Sequence, residues 1–198
     1  MRTKVMVASL LALSLAAFAA DSASSPTAKL GAPAPGFTLD DQTGKPVSLS
    51  DYSGKIVVLG WINRDCPFVQ RHLKANTFNN LNAKYSDKGV VLLGIDSSHM
   101  HTTEGNAKTV KDYSLSFPLL NDAKGTVGHL YNAKTTPEMY IVDKDGTLVY
   151  QGAIDNNADG DLSHPTNYVE KALDEMLAGK PVSQPETKSY GCTVKYAR

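Results

Sequence analysis

The chain has 198 residues, with 20 lysines and arginines against 20 aspartates and glutamates, so its formal net charge at pH 7 is zero. This balance excludes the strongly basic character typical of proteins that bind nucleic acid or an anionic membrane surface. The length suits one domain with a sizeable hydrophobic core once a leader is set aside.

The first 20 residues have the pattern of a secretory signal peptide. Arg2 and Lys4 precede an apolar run over residues 5–20, and residues 17–19 offer a small-x-small cleavage site. We therefore predict a secreted or periplasmic protein that has no membrane attachment after cleavage. A retained N-terminal anchor is the alternative interpretation.

Composition divides the rest of the chain into three parts. Residues 21–29 are small and polar, which predicts a flexible linker. The folded domain is predicted over residues 30–182. Residues 183–198 form a polar tail that carries Cys192.

The domain begins with a β-hairpin pattern. Apolar and polar residues alternate at residues 37–39 and again at residues 47–49, with Gly44 in the turn between them. The pattern predicts an N-terminal hairpin extension that precedes the main sheet.

A strand that leads into a cysteine and a proline is the most informative stretch. Residues 56–62 are apolar and rich in β-branched side chains, which predicts a buried strand. Pro67 suits the first position of a helix, so Cys66 is predicted at a helix N-terminus. Unpaired N–H groups and the helix dipole stabilise a thiolate there, and we expect Arg64 to lower and Asp65 to raise the thiol pKa. The alternative is a buried, inert cysteine.

Helical and strand patterns alternate along the remainder of the domain. Helices are predicted over residues 66–85, 103–113 and 167–178, and strands over residues 90–96, 117–120, 139–142 and 148–150. Pro118 predicts an edge strand, because proline cannot donate to a ladder. His72, on the first helix, is predicted to face solvent rather than the thiol. The order predicts an α/β fold with a mixed central sheet flanked by helices.

Two polar clusters invite comparison with metal sites. His99 and His101 lie near Asp96, but no third ligand follows at a fixed spacing. Residues 155–161 match the first half of a calcium loop, yet its twelfth position is Thr166 instead of glutamate. A polar turn is therefore favoured, and we predict neither a metal nor a cofactor.

Three runs near the start of the domain suggest a known family: residues 31–39, 44–51 and 54–59. Together they resemble the start of alkyl hydroperoxide reductase and thiol-specific antioxidant proteins, the redoxin branch of the thioredoxin-like fold. Thr136 and Pro137, which precede a strand, look like the cis-proline loop of that fold. The resemblance therefore implies that Pro137 is cis and faces the reactive thiol. The residues expected to support the site are Trp61, Asn63, Arg64, Pro67, Thr136 and Pro137.

The departures from the family patterns bear on the activity. Thioredoxins carry a second cysteine where this chain has Val69. Peroxiredoxins carry a proline and a hydroxyl residue where this chain has Leu59 and Asn63. The proline after Cys66 and the segment at residues 191–196 resemble an uncharacterised peroxiredoxin-like group of bacterial proteins. The missing peroxidase pattern favours disulfide exchange over peroxide reduction.

The sequence contains two cysteines, Cys66 and Cys192. A thiolate that attacks a disulfide or a peroxide leaves a mixed disulfide or a sulfenic acid, and either needs a second thiol for release. We therefore assign Cys192 a resolving role. The alternatives are a permanent disulfide between the two cysteines, or cysteines that never meet.

Three functions remain open from the sequence. The first is a thiol–disulfide oxidoreductase outside the cytoplasm, with a thiol or disulfide protein or a small thiol reductant as partner. The second is a thiol peroxidase that reduces hydroperoxides. The third is a non-catalytic module with a structural disulfide. None of the three requires nucleic acid.

Overall fold

A computed structural model describes residues 27–197 of the chain. Its strands are β1 (Thr38–Asp40), β2 (Pro46–Ser48), β3 (Ile56–Trp61), β4 (Val90–Asp96), β5 (Leu119–Asn121), β6 (Thr135–Thr136), β7 (Glu138–Val142), β8 (Leu148–Gly152) and β9 (Cys192–Thr193). Its helices are α1 (Pro67–Lys74), α2 (Thr77–Tyr85), α3 (Thr103–Asp112), α4 (Thr126–Leu130) and α5 (Tyr168–Leu177), with 3-10 turns at Leu49–Tyr52 and Ser86–Lys88. The predicted signal peptide over residues 1–20 lies outside the described residues. Within residues 27–197, no helix is both long enough and apolar enough to cross a membrane.

Seven strands form one mixed sheet in the order β2-β1-β5-β4-β3-β7-β8. At its centre β3 pairs in parallel with β4 and antiparallel with β7. All six residues of β3 are buried, because helices and loops cover both faces of the sheet. The mixed sheet and the antiparallel β1–β2 hairpin confirm the predicted fold class.

Alternate residues of β3 point into two separate cores. Val58 and Ile62 belong to a cluster formed with α1, α2 and α5, and this cluster includes Cys66. Leu59 and Trp61 belong to a second cluster on the opposite face of the sheet. Because strand side chains alternate between faces, the thiol and the tryptophan lie on opposite sides of the sheet.

The helix predicted over residues 66–85 is two helices. Asn76 adopts a left-handed conformation, with φ of 57°, between the end of α1 and the start of α2. Asparagine tolerates this conformation better than most residues, so the break falls at the asparagine-rich stretch where the sequence favours a helix least.

The prediction that residues 117–120 form an edge strand was wrong. Strand β5 lies inside the sheet, between β4 and β1. Pro118 precedes the strand, so its missing N–H leaves no gap in the ladder, and its carbonyl oxygen accepts the Gly94 N–H at 2.9 Å. Proline is therefore compatible with an interior strand at this position.

The tail packs against the domain over most of its described length. Two backbone hydrogen bonds join it to β8: the Gln151 N–H donates to the Pro185 carbonyl at 2.9 Å, and the Thr187 N–H donates to the Gln151 carbonyl at 3.1 Å. Further on, β9 pairs antiparallel with β6. The division of the chain at residue 182 stays a prediction.

Candidate active site

Cys66 caps the N-terminus of α1, and Pro67 is the first residue of that helix. Asn63 shapes the turn that leads there. Its carbonyl oxygen accepts the Cys66 N–H at 3.1 Å, and its side-chain oxygen accepts the Asp65 N–H at 2.8 Å. The thiol lies at the helix terminus, as the proline pattern predicted, but only 2% of the Cys66 surface is exposed.

The loop before β7 supplies the opposite wall of the site. The Thr136–Pro137 peptide bond is cis, as the resemblance implied. The Cys66 thiol donates a hydrogen bond to the Thr136 carbonyl oxygen at 3.0 Å. The Thr136 hydroxyl is buried beside it and has no hydrogen-bond partner among the described side chains and backbone groups.

The tail brings the second cysteine to the same place. Cys192 pairs with Thr136 in the β6–β9 ladder, and Thr136 is also the residue whose carbonyl oxygen accepts from Cys66, so the ladder brings the second thiol to the first. Gly191 allows this approach, because it has φ of 124° and a β-carbon there would lie 2.1 Å from the Thr136 carbonyl oxygen. Both cysteines are free thiols in this structure.

The two thiols have pKa values displaced in opposite directions. Burial raises the pKa of Cys66, but it is outweighed by donors that can stabilise the thiolate form: the Cys192 thiol, the Thr136 hydroxyl and the N–H groups of Val69 and Cys192. The pKa therefore lies below its ordinary value of 9.0. Burial and the hydrogen bond to Cys66 raise the pKa of Cys192 to about 11. Near neutral pH, Cys66 is therefore the better candidate for the thiolate, and Cys192 for the donor to it.

Comparison with known proteins identifies the family. The AhpC/TSA family matches residues 30–151, which is more than half of the chain. The chain belongs to the AhpC/TSA family.

Two curated relatives show the range of activities among similar proteins. The thiol-disulfide oxidoreductase ResA of Bacillus thuringiensis subsp. konkukian is 30% identical over 123 residues, covering 62% of this chain and 69% of the relative. The chloroplastic peroxiredoxin Q of Sedum lineare is 33% identical over 130 residues, covering 61% and 67%. Both names describe redox enzymes, and this AhpC/TSA chain is a redox enzyme too.

Solved structures agree with the thioredoxin-like fold. A hypothetical protein from Sinorhizobium meliloti superposes with a TM-score of 0.77 at 29% identity, covering 87% of this chain and 97% of that one. A putative thiol:disulfide interchange protein DsbE from Chlorobium tepidum gives 0.57 at 27% identity, covering 63% and 85%.

Two of the expected supporting residues of this AhpC/TSA chain have side chains that point elsewhere. The Trp61 ring nitrogen donates to the Ser97 hydroxyl at 3.0 Å, in the core on the far side of the sheet. The Arg64 guanidinium donates to the Asn106 side-chain oxygen at 3.3 Å, towards α3. The expectation that Arg64 lowers the thiol pKa stays a prediction, and the main groups that lower it belong to the tail, the cis-proline loop and the start of α1.

The Asp65 carboxylate contacts His101. His101 lies between two carboxylates, with its Nδ1 atom 2.7 Å from Asp96 and its Nε2 atom 2.9 Å from Asp65. The hydrogen bond to Asp96 raises the pKa of His101. Among residues 27–197, no group of three or more histidine, cysteine or acidic side chains is arranged to hold a metal ion.

The prediction that His72 faces solvent was wrong. Only 4% of its surface is exposed, and its Nε2 atom lies 3.0 Å from the Tyr190 hydroxyl. That hydroxyl donates in turn to the Asp155 carboxylate. Sequence reasoning treated Asp155 as part of a polar turn, which it also is, since it accepts the Asn157 N–H at 2.9 Å. Sequence reasoning did not single out Tyr190. Its position two residues before Cys192 was the signal that could have indicated a place near the site.

Proposed function

We propose that this enzyme catalyses thiol–disulfide exchange outside the cytoplasm, with Cys66 as the attacking thiolate and Cys192 as the resolving thiol. The pairing of Cys192 with Thr136 carries the proposal, because it sets the second thiol against the first. An internal resolving thiol must lie close to the attacking thiol. Cys66 and Cys192 are far apart in sequence, so their separation along the chain does not by itself provide this proximity.

The first step is attack on a substrate disulfide. The Cys66 thiolate bonds to one substrate sulfur, and the other substrate sulfur leaves as a thiolate that takes a proton from water. The hydrogen bonds from Thr136, Val69 and Cys192 stabilise the Cys66 thiolate before attack. Asn63 and Pro67 hold the turn and the helix start that place its sulfur there.

The second step releases the substrate. Cys192 loses its proton to water, and its thiolate attacks the Cys66 sulfur. The Cys66–Cys192 disulfide forms, and the second substrate sulfur leaves as a thiolate that takes a proton from water. Part of what raises the pKa of Cys192 is the neighbouring Cys66 thiolate, and this contribution is absent once Cys66 is in a mixed disulfide. The pKa of Cys192 therefore falls when its deprotonation is needed. A small thiol or a dithiol protein would then return the pair to its reduced state.

The signal-peptide pattern at residues 1–20 supports a location outside the cytoplasm. N-terminal sequencing of the protein from its native host should find a chain that begins between Ala20 and Ser22. An intact Met1 on a cytosolic protein would contradict the location without affecting the exchange chemistry.

The test compares three forms of the protein in an insulin-type disulfide reduction assay with an external thiol. We expect Cys66→Ser to abolish turnover. We expect Cys192→Ser to accumulate mixed disulfides through Cys66, visible by mass spectrometry, because no internal thiol releases them. Turnover by Cys66→Ser, or a Cys192→Ser protein that turns over like the wild type, would refute the assignment. A pair that stays oxidised under strong reductant would favour a structural disulfide.

Peroxide reduction is the second candidate, favoured by the family and by the similarity to peroxiredoxin Q. Leu59 and Asn63 occupy the positions of the peroxidase proline and hydroxyl residues, and Cys66 is almost fully buried. We expect slow consumption of hydrogen peroxide by the same preparation. Peroxide turnover faster than insulin reduction would make the peroxidase the primary activity.

A further inference from the structure

Four side chains between α1, the loop after β8 and the tail form a polar cluster, which we name the tail anchor: Arg71, His72, Asp155 and Tyr190. The Tyr190 hydroxyl donates to the Asp155 carboxylate and lies 3.0 Å from His72 Nε2 and 3.5 Å from an Arg71 nitrogen. His72 is 4% exposed and Asp155 is 7% exposed. Arg71 and Tyr190 are partly buried, and Tyr190 packs against the core cluster that contains Cys66.

One arrangement of protons satisfies the hydrogen bonds of Tyr190 and His72. Because Tyr190 donates its single hydroxyl proton to Asp155, His72 must donate from Nε2 to the Tyr190 oxygen. His72 Nδ1 then accepts from the Thr77 hydroxyl at 3.3 Å. Burial lowers the pKa of His72, consistent with this neutral form. The bond from Tyr190 to a buried carboxylate belongs to the stronger class of hydrogen bonds.

The tail anchor joins the segments that carry the two cysteines. Arg71 and His72 belong to the helix that Cys66 caps, and Tyr190 lies two residues before Cys192. The β6–β9 ladder has two residues on each strand, which is too short to hold the tail firmly. On the C-terminal side of Cys192, further backbone hydrogen bonds join Val194 to Lys134 and Lys195 to His99. The tail anchor is the attachment on the N-terminal side of Cys192.

Access to Cys66 depends on the same attachment. Tyr190 and Cys192 pack against the core cluster that contains Cys66, whose surface is 2% exposed. An external disulfide can reach the Cys66 sulfur only after a neighbouring segment moves, and the tail is one of the segments that pack over it. Attack on substrate needs the tail to leave, whereas resolution needs it to return.

We propose that Tyr190 is a positioning residue that controls how often Cys192 lies against Cys66. This inference rests on the proposed function, in which Cys192 resolves the mixed disulfide. Its consequence is that loss of the Tyr190 hydroxyl changes the two steps in opposite directions. The attack on substrate becomes faster, and the resolution by Cys192 becomes slower.

A symmetric aromatic disulfide whose thiolate product is coloured separates the two steps in one experiment. Attack by Cys66 releases one coloured thiolate in a phase that depends on reagent concentration. Attack by Cys192 on the mixed disulfide then releases the second coloured thiolate, in a phase whose rate is independent of reagent concentration. For Tyr190→Phe we expect the first phase to accelerate roughly ten- to hundredfold and the second to slow, because a hydrogen bond to a charged group is lost.

Three further variants make the test specific. Tyr85→Phe is the matched control, since the Tyr85 hydroxyl donates to the Asp174 carboxylate at 2.7 Å between α2 and α5 and contacts no member of the tail anchor. We expect both of its phases to match the wild type. Asp155→Ala should reproduce Tyr190→Phe, and Asp155→Asn, which keeps an acceptor oxygen, should restore part of the wild-type behaviour.

Unchanged phases in Tyr190→Phe and Asp155→Ala would overturn the proposal. So would an equal effect in Tyr85→Phe, because it would reflect general destabilisation. Release of only one coloured thiolate by the wild type would instead refute the resolving role of Cys192. In that case the rate of the first phase still reports whether the anchor controls access to Cys66.

Discussion

Gly191→Ala should detach Cys192 from the site while leaving Cys66 intact. A β-carbon at this position would lie 2.1 Å from the Thr136 carbonyl oxygen and 2.8 Å from the carbonyl carbon, both backbone atoms, whereas ordinary contact begins at 3.4 Å. The tail and the cis-proline loop must therefore separate by roughly 1.3 Å. The φ of 124° adds strain of about 1–3 kcal/mol for a residue with a side chain.

Displacement of this size should impair catalysis more than stability. A shift of about 1 Å in a reacting group can cost on the order of a hundredfold in rate. We expect internal disulfide formation to slow by about that factor, and mixed disulfides through Cys66 to accumulate as in Cys192→Ser. Single-turnover kinetics with mass spectrometry of quenched samples measures both quantities.

Gly179→Ala is the matched control for backbone strain. Gly179 also has a positive φ, of 70°, but a β-carbon there meets nothing within 4 Å. We expect it to lower the free energy of unfolding by about 1–2 kcal/mol without changing disulfide formation. Wild-type kinetics in Gly191→Ala would refute the conclusion that close approach of the tail to Thr136 positions Cys192.

Three other predictions follow from the structure. Cys192→Ala should raise the pKa of Cys66 towards 9.0, because the Cys192 thiol is the main group that lowers it. Cys192→Ser keeps a hydrogen-bond donor and should raise the pKa of Cys66 less. The rate of iodoacetamide alkylation as a function of pH measures the pKa in both variants. His101 has a raised pKa, so its contribution to stability is fully present below its ordinary value of 6.5 and is lost as pH rises through the raised value. The stability difference between wild type and His101→Gln should therefore shrink between acidic and alkaline pH, and a constant difference would contradict this. Asn76→Ala should cost about 1 kcal/mol in denaturant unfolding, and Asn76→Gly should cost less, because glycine tolerates the φ of 57°.

Local patterns in the sequence predicted the centre of the fold well. The apolar run at residues 90–96 coincides with β4, and the helix start at Pro67 follows the strand that ends at Trp61. Each of these elements is specified by neighbouring residues, because a buried strand needs a continuous apolar run and a helix start needs proline or a capping residue. The interior position of residues 117–120 could not be inferred, because it depends on the N-terminal hairpin pairing beside them.

The site was predicted less completely, because its contacts join distant segments. Cys66 followed from its local context, but the contacts of His72 depend on Tyr190, which lies 118 residues later. Arg64 is close to Cys66 in sequence, yet its side chain extends towards Asn106 on α3. Trp61 faces the opposite core because β3 side chains alternate, which periodicity alone could have indicated.

The contact between the tail and β8 also covers one edge of the sheet. β8 is the outermost strand on its side of the sheet, and residues Pro185 and Thr187 pair with Gln151 there. An uncovered outer strand offers free backbone groups to other copies of the chain, which favours aggregation. A chain shortened before residue 183 would lose Cys192, and we expect its uncovered strand to make it aggregate more readily than the full chain.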